Sequence, residues 1–227
     1  NHQGRRPHSG SLDERPGREP GTEYDGGDAW VASQAGSGTS IFDPVLCELA
    51  CRWFCPPGGL ILDPFAGGSV RGIVAAKLGR QYVGVDLRPE QVAANEEQAK
   101  EITPDNPPRW IVGDSRNVAE LVPGEYDFLF SCPPYGDLEV YSDDPLDLST
   151  LDAEDFFRDY ATIIGRCVAM LKEDRFACFV VGDYRDSRTG FYRGLPWHTV
   201  DAFEKAGAML YNEAVLVTAV GSLPIRV

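Results

Sequence analysis

Leu60-Ile61-Leu62-Asp63-Pro64-Phe65-Ala66-Gly67-Gly68-Ser69 begins as a short apolar run and ends in a polar turn carrying two glycines. A brief run bounded by turn residues reads as a buried strand, here set off by Pro56-Pro57-Gly58-Gly59. A helical pattern follows from Ser69 to Leu78, closed by Gly79. The order strand, glycine turn, helix then decides how the rest of the chain is read.

The same alternation recurs downstream. Tyr82 to Val85 is a second strand ending at Asp86, and Pro89 opens a polar helix to about Glu101. Trp110 to Val112 is a third, ending at Gly113-Asp114-Ser115, and Tyr126 to Phe130 is a fourth, ending at Ser131-Cys132-Pro133-Pro134-Tyr135. Upstream, Pro44 suits the first turn of a helix patterned by Val45, Leu46, Leu49, Trp53 and Phe54. Ser149 or Thr150 is expected to cap an amphipathic helix with Phe156, Tyr160, Ile163, Ile164, Cys167 and Leu171 on one side. Phe176 to Val181 reads as a fifth strand, Pro196 opens a helix to about Ala206, and Leu210 to Val220 reads as a final strand region. Strands alternating with helices imply an α/β fold with a mostly parallel central sheet covered by helices on both faces. Ligands of such sheets bind outside the carboxyl ends of the strands. The turns after Leu62, Val85, Val112 and Phe130 should therefore share one edge and one site.

Residues 1–38 are rich in Gly, Pro, Arg, Ser and acids and lack apolar periodicity, as expected of a disordered or loosely attached arm. Residues 39–227 form the expected domain. An apolar fraction of 43% among 227 residues allows a real core. No apolar run reaches about 18 residues and no apolar segment follows Arg5 and Arg6, so neither a membrane span nor a secretory signal is expected. Cytoplasmic placement is the default expectation. Cys47, Cys51 and Cys55 repeat every four residues along one helical face. They suit a packed helix face better than a metal centre, because no histidine lies near and the spacing fits no zinc pattern.

The net charge of −14 argues against broad phosphate binding. A nucleic-acid enzyme of this composition needs a local basic groove, or a targeting partner or homodimer that supplies one. Asp183-Tyr184-Arg185-Asp186-Ser187-Arg188-Thr189-Gly190-Phe191-Tyr192-Arg193 is the expected groove, with Arg185, Arg188 and Arg193 interleaved with aromatics. By contrast, residues 137–155 carry eight acids and no base, so that loop should avoid phosphate.

The first turn has neither the G-x-G-x-x-G dinucleotide pattern nor the lysine of a P-loop. Its glycines let a ligand approach the backbone, and the following helix start offers free amides. Asp63 suits a cationic ammonium group. Asp86, 23 positions later, is close to the separation at which an acid meets ribose hydroxyls, and Asp114 could meet an adenine amine. An ammonium, a ribose and an adenine together describe S-adenosylmethionine.

Asp63-Pro64-Phe65-Ala66-Gly67-Gly68-Ser69 resembles the cofactor motif D-P-F-x-G-S-G of the exocyclic-amine (N6-adenine and N4-cytosine) DNA methyltransferases. Phe42-Asp43-Pro44 resembles the family segment that closes over the methionine end, and Cys132-Pro133-Pro134-Tyr135 resembles the family's catalytic D/N/S-P-P-Y. The likeness spans about residues 40 to 220 and implies a Rossmann-like methyltransferase fold. It implies S-adenosylmethionine bound by Phe42, Asp63, Pro64, Phe65, Ala66, Gly67, Gly68, Ser69, Asp86, Asp114 and Ser115. It further implies a DNA substrate, methylated on adenine or cytosine at the Cys132–Tyr135 turn. There the Pro133 carbonyl would accept from the amine and Tyr135 would stack on a flipped base. Cys132 departs from the family pattern. A weak sulfur acceptor leaves the work to Pro133 and Ser131, or marks a different target. Two alternatives stay open: methylation of RNA or a protein side-chain amide, and a non-catalytic module that binds S-adenosylmethionine. Residues 222–227 end where the family usually adds another antiparallel strand, so a chain truncated before its last strand is a further expectation.

Overall fold

The apolar runs pair edge to edge as five parallel strands in a computed structural model that describes residues 41–217 apart from Glu139. The expected arm, and the part of the final strand region and chain end beyond 217, lie outside the described residues.

The first helix, α1 (Pro44–Phe54), starts where Asp43 accepts hydrogen bonds from Val45 N at 2.8 Å and Leu46 N at 3.2 Å. That cap satisfies donors with no partner inside the helix. Next come β1 (Leu60–Asp63), α2 (Val70–Lys77), β2 (Gln81–Asp86), α3 (Pro89–Ile102) and β3 (Arg109–Val112). Then follow α4 (Val118–Leu121), β4 (Tyr126–Ser131), α5 (Ala153–Ala169), β5 (Leu171–Phe179) and α6 (Leu195–Lys205). The sheet order is β3-β2-β1-β4-β5. The register Asp63↔Gly84 across β1–β2 and Leu62↔Leu129 across β1–β4 brings the carboxyl ends of the three strands side by side.

Alternate residues feed opposite faces, as pleated strands require. Ile61, Tyr82, Phe128 and Phe130 pack with Cys47, Ala50 and Cys51 of α1, Ala75 of α2, and Val92 and Ala99 of α3. Leu62, Val83, Val85 and Leu129 pack on the other face with Val118 of α4, Phe156, Tyr160 and Ile163 of α5, and Leu195 of α6. The Cys47/Cys51/Cys55 face is buried core, and the described residues contain no metal-holding group of three or more ligands.

Three boundaries differ from expectation. The α5 cap is Asp152, which accepts from Asp155 N at 2.9 Å, not Ser149 or Thr150. Those two lie in a separate 3-10 turn capped by Asp147. Strand β5 starts five residues early because its first part is polar. Tyr126↔Leu171 and Phe128↔Phe176 are in register, so Lys172–Arg175 bulge opposite Asp127. Asp127 takes Lys172 Nζ at 2.9 Å and Arg175 Nε at 3.4 Å, and also Leu60 N at 3.0 Å. Finally, residues 210–217 of the expected last strand region form no strand.

Candidate active site

Because all five strands run the same way, the turns after β1, β2, β3 and β4 meet at one rim. Asp63 ties that rim together. It is fully buried, and its Oδ1 accepts from Phe65 N at 3.1 Å and from Ser131 Oγ at 2.5 Å. Its Oδ2 accepts from Arg71 Nε at 2.6 Å and Tyr82 OH at 2.7 Å. Ser131 Oγ also accepts from Phe65 N at 3.2 Å. One carboxylate thus joins the β1 turn, helix α2, strand β2 and the end of β4.

Four internal donors, one of them a guanidinium, take up the acceptor positions of Asp63, an arrangement that differs from the open carboxylate expected for an ammonium group. Arg71, which the sequence reading missed, completes the lock. Its Nη2 donates to Phe65 O at 2.6 Å and Ala66 O at 2.9 Å, and the Phe42 ring lies 4.7 Å from its guanidinium carbon. Burial alone would lower the affinity of Arg71 for its proton, but Asp63 and Tyr82 outweigh that and raise it. The clue was a lone arginine in the apolar run Val70-Arg71-Gly72-Ile73-Val74-Ala75-Ala76, since a buried cation needs an acid nearby.

The glycines face open space. At Gly67 (φ +50°) and at Gly68 an added Cβ would meet nothing within 4 Å. Gly67 is pinned from behind, its N–H donating to Asp86 Oδ2 at 2.9 Å and its carbonyl accepting from Asn95 Nδ2 at 2.7 Å. Asp86 Oδ1 accepts from Arg88 N at 2.9 Å. Arg88 Nε lies 3.7 Å from Oδ1 as an ion-pair partner, and the carboxylate keeps acceptor capacity for hydroxyls. Burial pushes Asp86 above the usual carboxylate range, against the Arg88 and Gly67 amides that lower it.

The remaining expected cofactor residues divide. Pro64, Phe65 and Ala66 form the turn, and Pro64 O accepts from the Ser115 hydroxyl, linking the β1 and β3 rims. Ser69 is buried and bonds Gln98. Asp114 holds Arg116 Nε at 2.9 Å from both its oxygens, and Arg116 continues to Asp159 at 2.7 Å and Leu146 O at 2.8 Å. Asp114 is therefore an ion-pair partner that anchors the acid-rich loop to the rim. Phe42 meets Phe130 edge-on at 5.7 Å and covers Arg71.

The β4 turn follows Ser131 directly. Pro133 is buried and Pro134 half-buried, and neither has an N–H. The Tyr135 ring lies against Gly182, 3.6 Å from where a Cβ would sit. Burial pushes the Cys132 thiol up, with Asp63 adding to the rise and Arg71 opposing it. A thiol held protonated is a poor nucleophile, which weighs against covalent chemistry there.

The expected basic segment is a small antiparallel turn closed by the Arg185↔Tyr192 bridge. Arg188 is exposed, and Arg185 lies 4.0 Å from the Tyr192 ring centre. Arg193 is ion-paired with Asp186 at 2.5 Å.

Residues 41–97 match the model of the N6/N4 DNA methylase family. The type II methyltransferase M.XycI of Xanthomonas campestris pv. cyanopsidis is 40% identical over 58 residues, 26% of this chain and 19% of that protein. The type II methyltransferase M.SmaI of Serratia marcescens is 33% identical over 63 residues, 28% and 22% of the respective chains. The match thus spans about a fifth of the length of these curated relatives. Among solved structures, the magnesium protoporphyrin IX methyltransferase ChlM of Synechocystis PCC 6803 with bound SAM aligns at TM-score 0.55 and 15% identity, covering 86% of both chains. TrmN of Thermus thermophilus aligns at TM-score 0.50 and 22% identity, covering 65% of this chain and 40% of that one. Residues 41–97, which hold the Asp63–Ser69 turn, are thus similar to the N6/N4 DNA methylases, and the sheet shares the Rossmann-like fold of ChlM.

Proposed function

We propose that this domain transfers a methyl group from S-adenosylmethionine to an exocyclic amine of adenine or cytosine in DNA. The observation that carries the proposal is the Ser131 Oγ–Asp63 Oδ1 bond of 2.5 Å. It fixes the glycine turn and the Pro133-Pro134-Tyr135 turn against each other at one rim. Donor and acceptor sites held side by side supply proximity, the main requirement of a methyl transfer.

The residues present fit the cofactor. Gly67 and Gly68 leave room beside the backbone, and Asp86 has acceptor capacity for the ribose hydroxyls. With Asp63 neutralised by Arg71, charge selection for an ammonium group does not come from that carboxylate. The chemistry that a bound S-adenosylmethionine supplies is an electrophilic methyl group. The aromatic amine must be oriented and its lone pair drawn out of conjugation. The Pro133 carbonyl is the proposed acceptor for an amine N–H, and two adjacent prolines keep the turn rigid and free of competing donors. The proton lost after transfer can leave to water, because its acidity rises once the amine is methylated.

Labelled methyl donor with DNA, followed by digestion to nucleosides, tests the proposal. Label in N6-methyladenine or N4-methylcytosine supports it. Label confined to RNA or protein fractions, from protein that binds S-adenosylmethionine, would overturn the DNA substrate.

A further inference from the structure

We propose, resting on the DNA reading above, that the turn spanning residues 183–194 is a stacking element for unpaired nucleotides and is mechanically joined to the catalytic turn.

The segment is built to be stiff. Asp183 Oδ1 accepts from Tyr184 N at 2.9 Å and from Gly194 N at 2.8 Å, which draws its two ends together. Arg193 N donates to Tyr184 O, and Asp186 N donates to Phe191 O, both at 2.9 Å. At the tip, buried Asp186 accepts from Arg188 N at 2.9 Å and Thr189 N at 2.6 Å while pairing with Arg193. Gly190, at φ +73°, completes the reversal.

Its exposed chemistry is unusual for so acidic a chain. Phe191 is 76% exposed and Tyr192 61% exposed. Arg185 lies over Tyr192 and donates to Gly190 O at 2.8 Å, so the cation is held over the ring. With Asp186 buried and paired with Arg193, the tip presents the charges of Arg185 and Arg188, and the exposed Asp183 carboxylate lies at the base of the turn. Aromatic faces backed by cations suit a base plane beside a phosphate. Bases in an intact duplex hide those planes, so the element favours unstacked or single-stranded nucleotides. A site that must extract a base from the stack creates such nucleotides next to itself.

The link to catalysis is direct. A Cβ on Gly136 would sit 2.0 Å from the Tyr184 hydroxyl, so Tyr184 packs flush on the residue after the Pro-Pro-Tyr turn. Tyr135 in turn rests on Gly182, at the base of the segment.

Anisotropy of short fluorescent single-stranded and duplex DNA measures the effect on the full chain. Phe191→Ala with Tyr192→Ala should weaken single-strand binding roughly 5- to 150-fold, at about 1–3 kcal/mol for the loss of one stacked base, and weaken duplex binding less. Arg188→Ala should weaken both about equally. S-adenosylmethionine affinity, read by calorimetry, should stay unchanged and so report an intact fold. Wild-type-like DNA binding by the aromatic variant overturns the stacking element alone. Photocrosslinks from bromodeoxyuridine strands mapping outside residues 183–194 overturn it too. A wild-type chain that binds S-adenosylmethionine but no DNA, or RNA only, overturns the substrate reading as well.

Discussion

Replacing Arg71 with Met should be among the most damaging single changes in this domain. The side chain is 5% exposed and its partner Asp63 is fully buried. Methionine fills most of the volume but leaves an unpaired carboxylate, and the Phe65 and Ala66 carbonyls lose their donor. Breaking a buried ion pair from one side costs about 3–5 kcal/mol, much of it the stranded charge. That is a large share of the roughly 5–15 kcal/mol typical of a domain. With an m-value of about 2 kcal/mol/M, the urea midpoint should fall by roughly 2 M with m unchanged. Arg71→Lys keeps the charge, but one ammonium cannot reproduce the fork onto a carboxylate and two carbonyls, so it should cost about 1–2 kcal/mol. The cycle with Asp63→Asn isolates the pair. The double variant should be more stable than the sum of the singles by roughly 1–3 kcal/mol. A loss under about 1 kcal/mol for Arg71→Met, or strict additivity, would refute the view that this pair locks the rim.

Three further outcomes are expected. Asp86→Ala should weaken S-adenosylmethionine binding about 10- to 100-fold by calorimetry, the worth of hydrogen bonds to a charged acceptor. Because burial raises Asp86 and hydroxyl donors prefer the ionised form, wild-type affinity should be full above that raised value and decline as pH falls through it. Asp86→Ala should lack this decline, and an identical pH profile would remove Asp86 from the site. Cys132→Ser should keep methyl transfer within about tenfold, whereas a covalent nucleophile would lose on the order of a million-fold. Gly72→Ala sets two effects against each other. Alanine usually gains about 1 kcal/mol over glycine inside a helix, but here its Cβ would meet Trp110 Cζ2 at 2.6 Å and Pro108 Cβ at 3.0 Å. Overpacking costs about 1–3 kcal/mol, so the melting temperature should drop, and a rise would show that β3 yields easily.

The central strands were legible because burial on both faces leaves continuous apolar runs, as in Phe128-Leu129-Phe130. Their common edge followed from parallel geometry. Strand β5 was misjudged because Lys172–Arg175 is polar, and its bulge is held by Asp127 from a strand far away in sequence. The α5 cap was misplaced because Ser149 and Asp152 both carry good cap chemistry, and only the preceding 3-10 turn decides between them. The positions of the expected site residues were more legible than their contacts. Asp63 and Asp114 sit at strand ends as expected, but each is claimed by an arginine that local pattern could not assign to it. The Arg71 pairing joins a helix to the strand end eight positions before it, and Arg116 reaches on from Asp114 to Asp159, 43 positions away, so sequence spacing alone did not assign these partners.

The Asp63 junction also bears on how the chain assembles. Its bond to Ser131 spans 68 positions and its bond to Tyr82 spans 19. Long loops must close before such contacts bring any gain. The junction can therefore form only after β1, β2 and β4 have all found register, which makes it a checkpoint late in folding. A half-assembled sheet would hold the two turns apart, so the shared rim arrives with completion of the core.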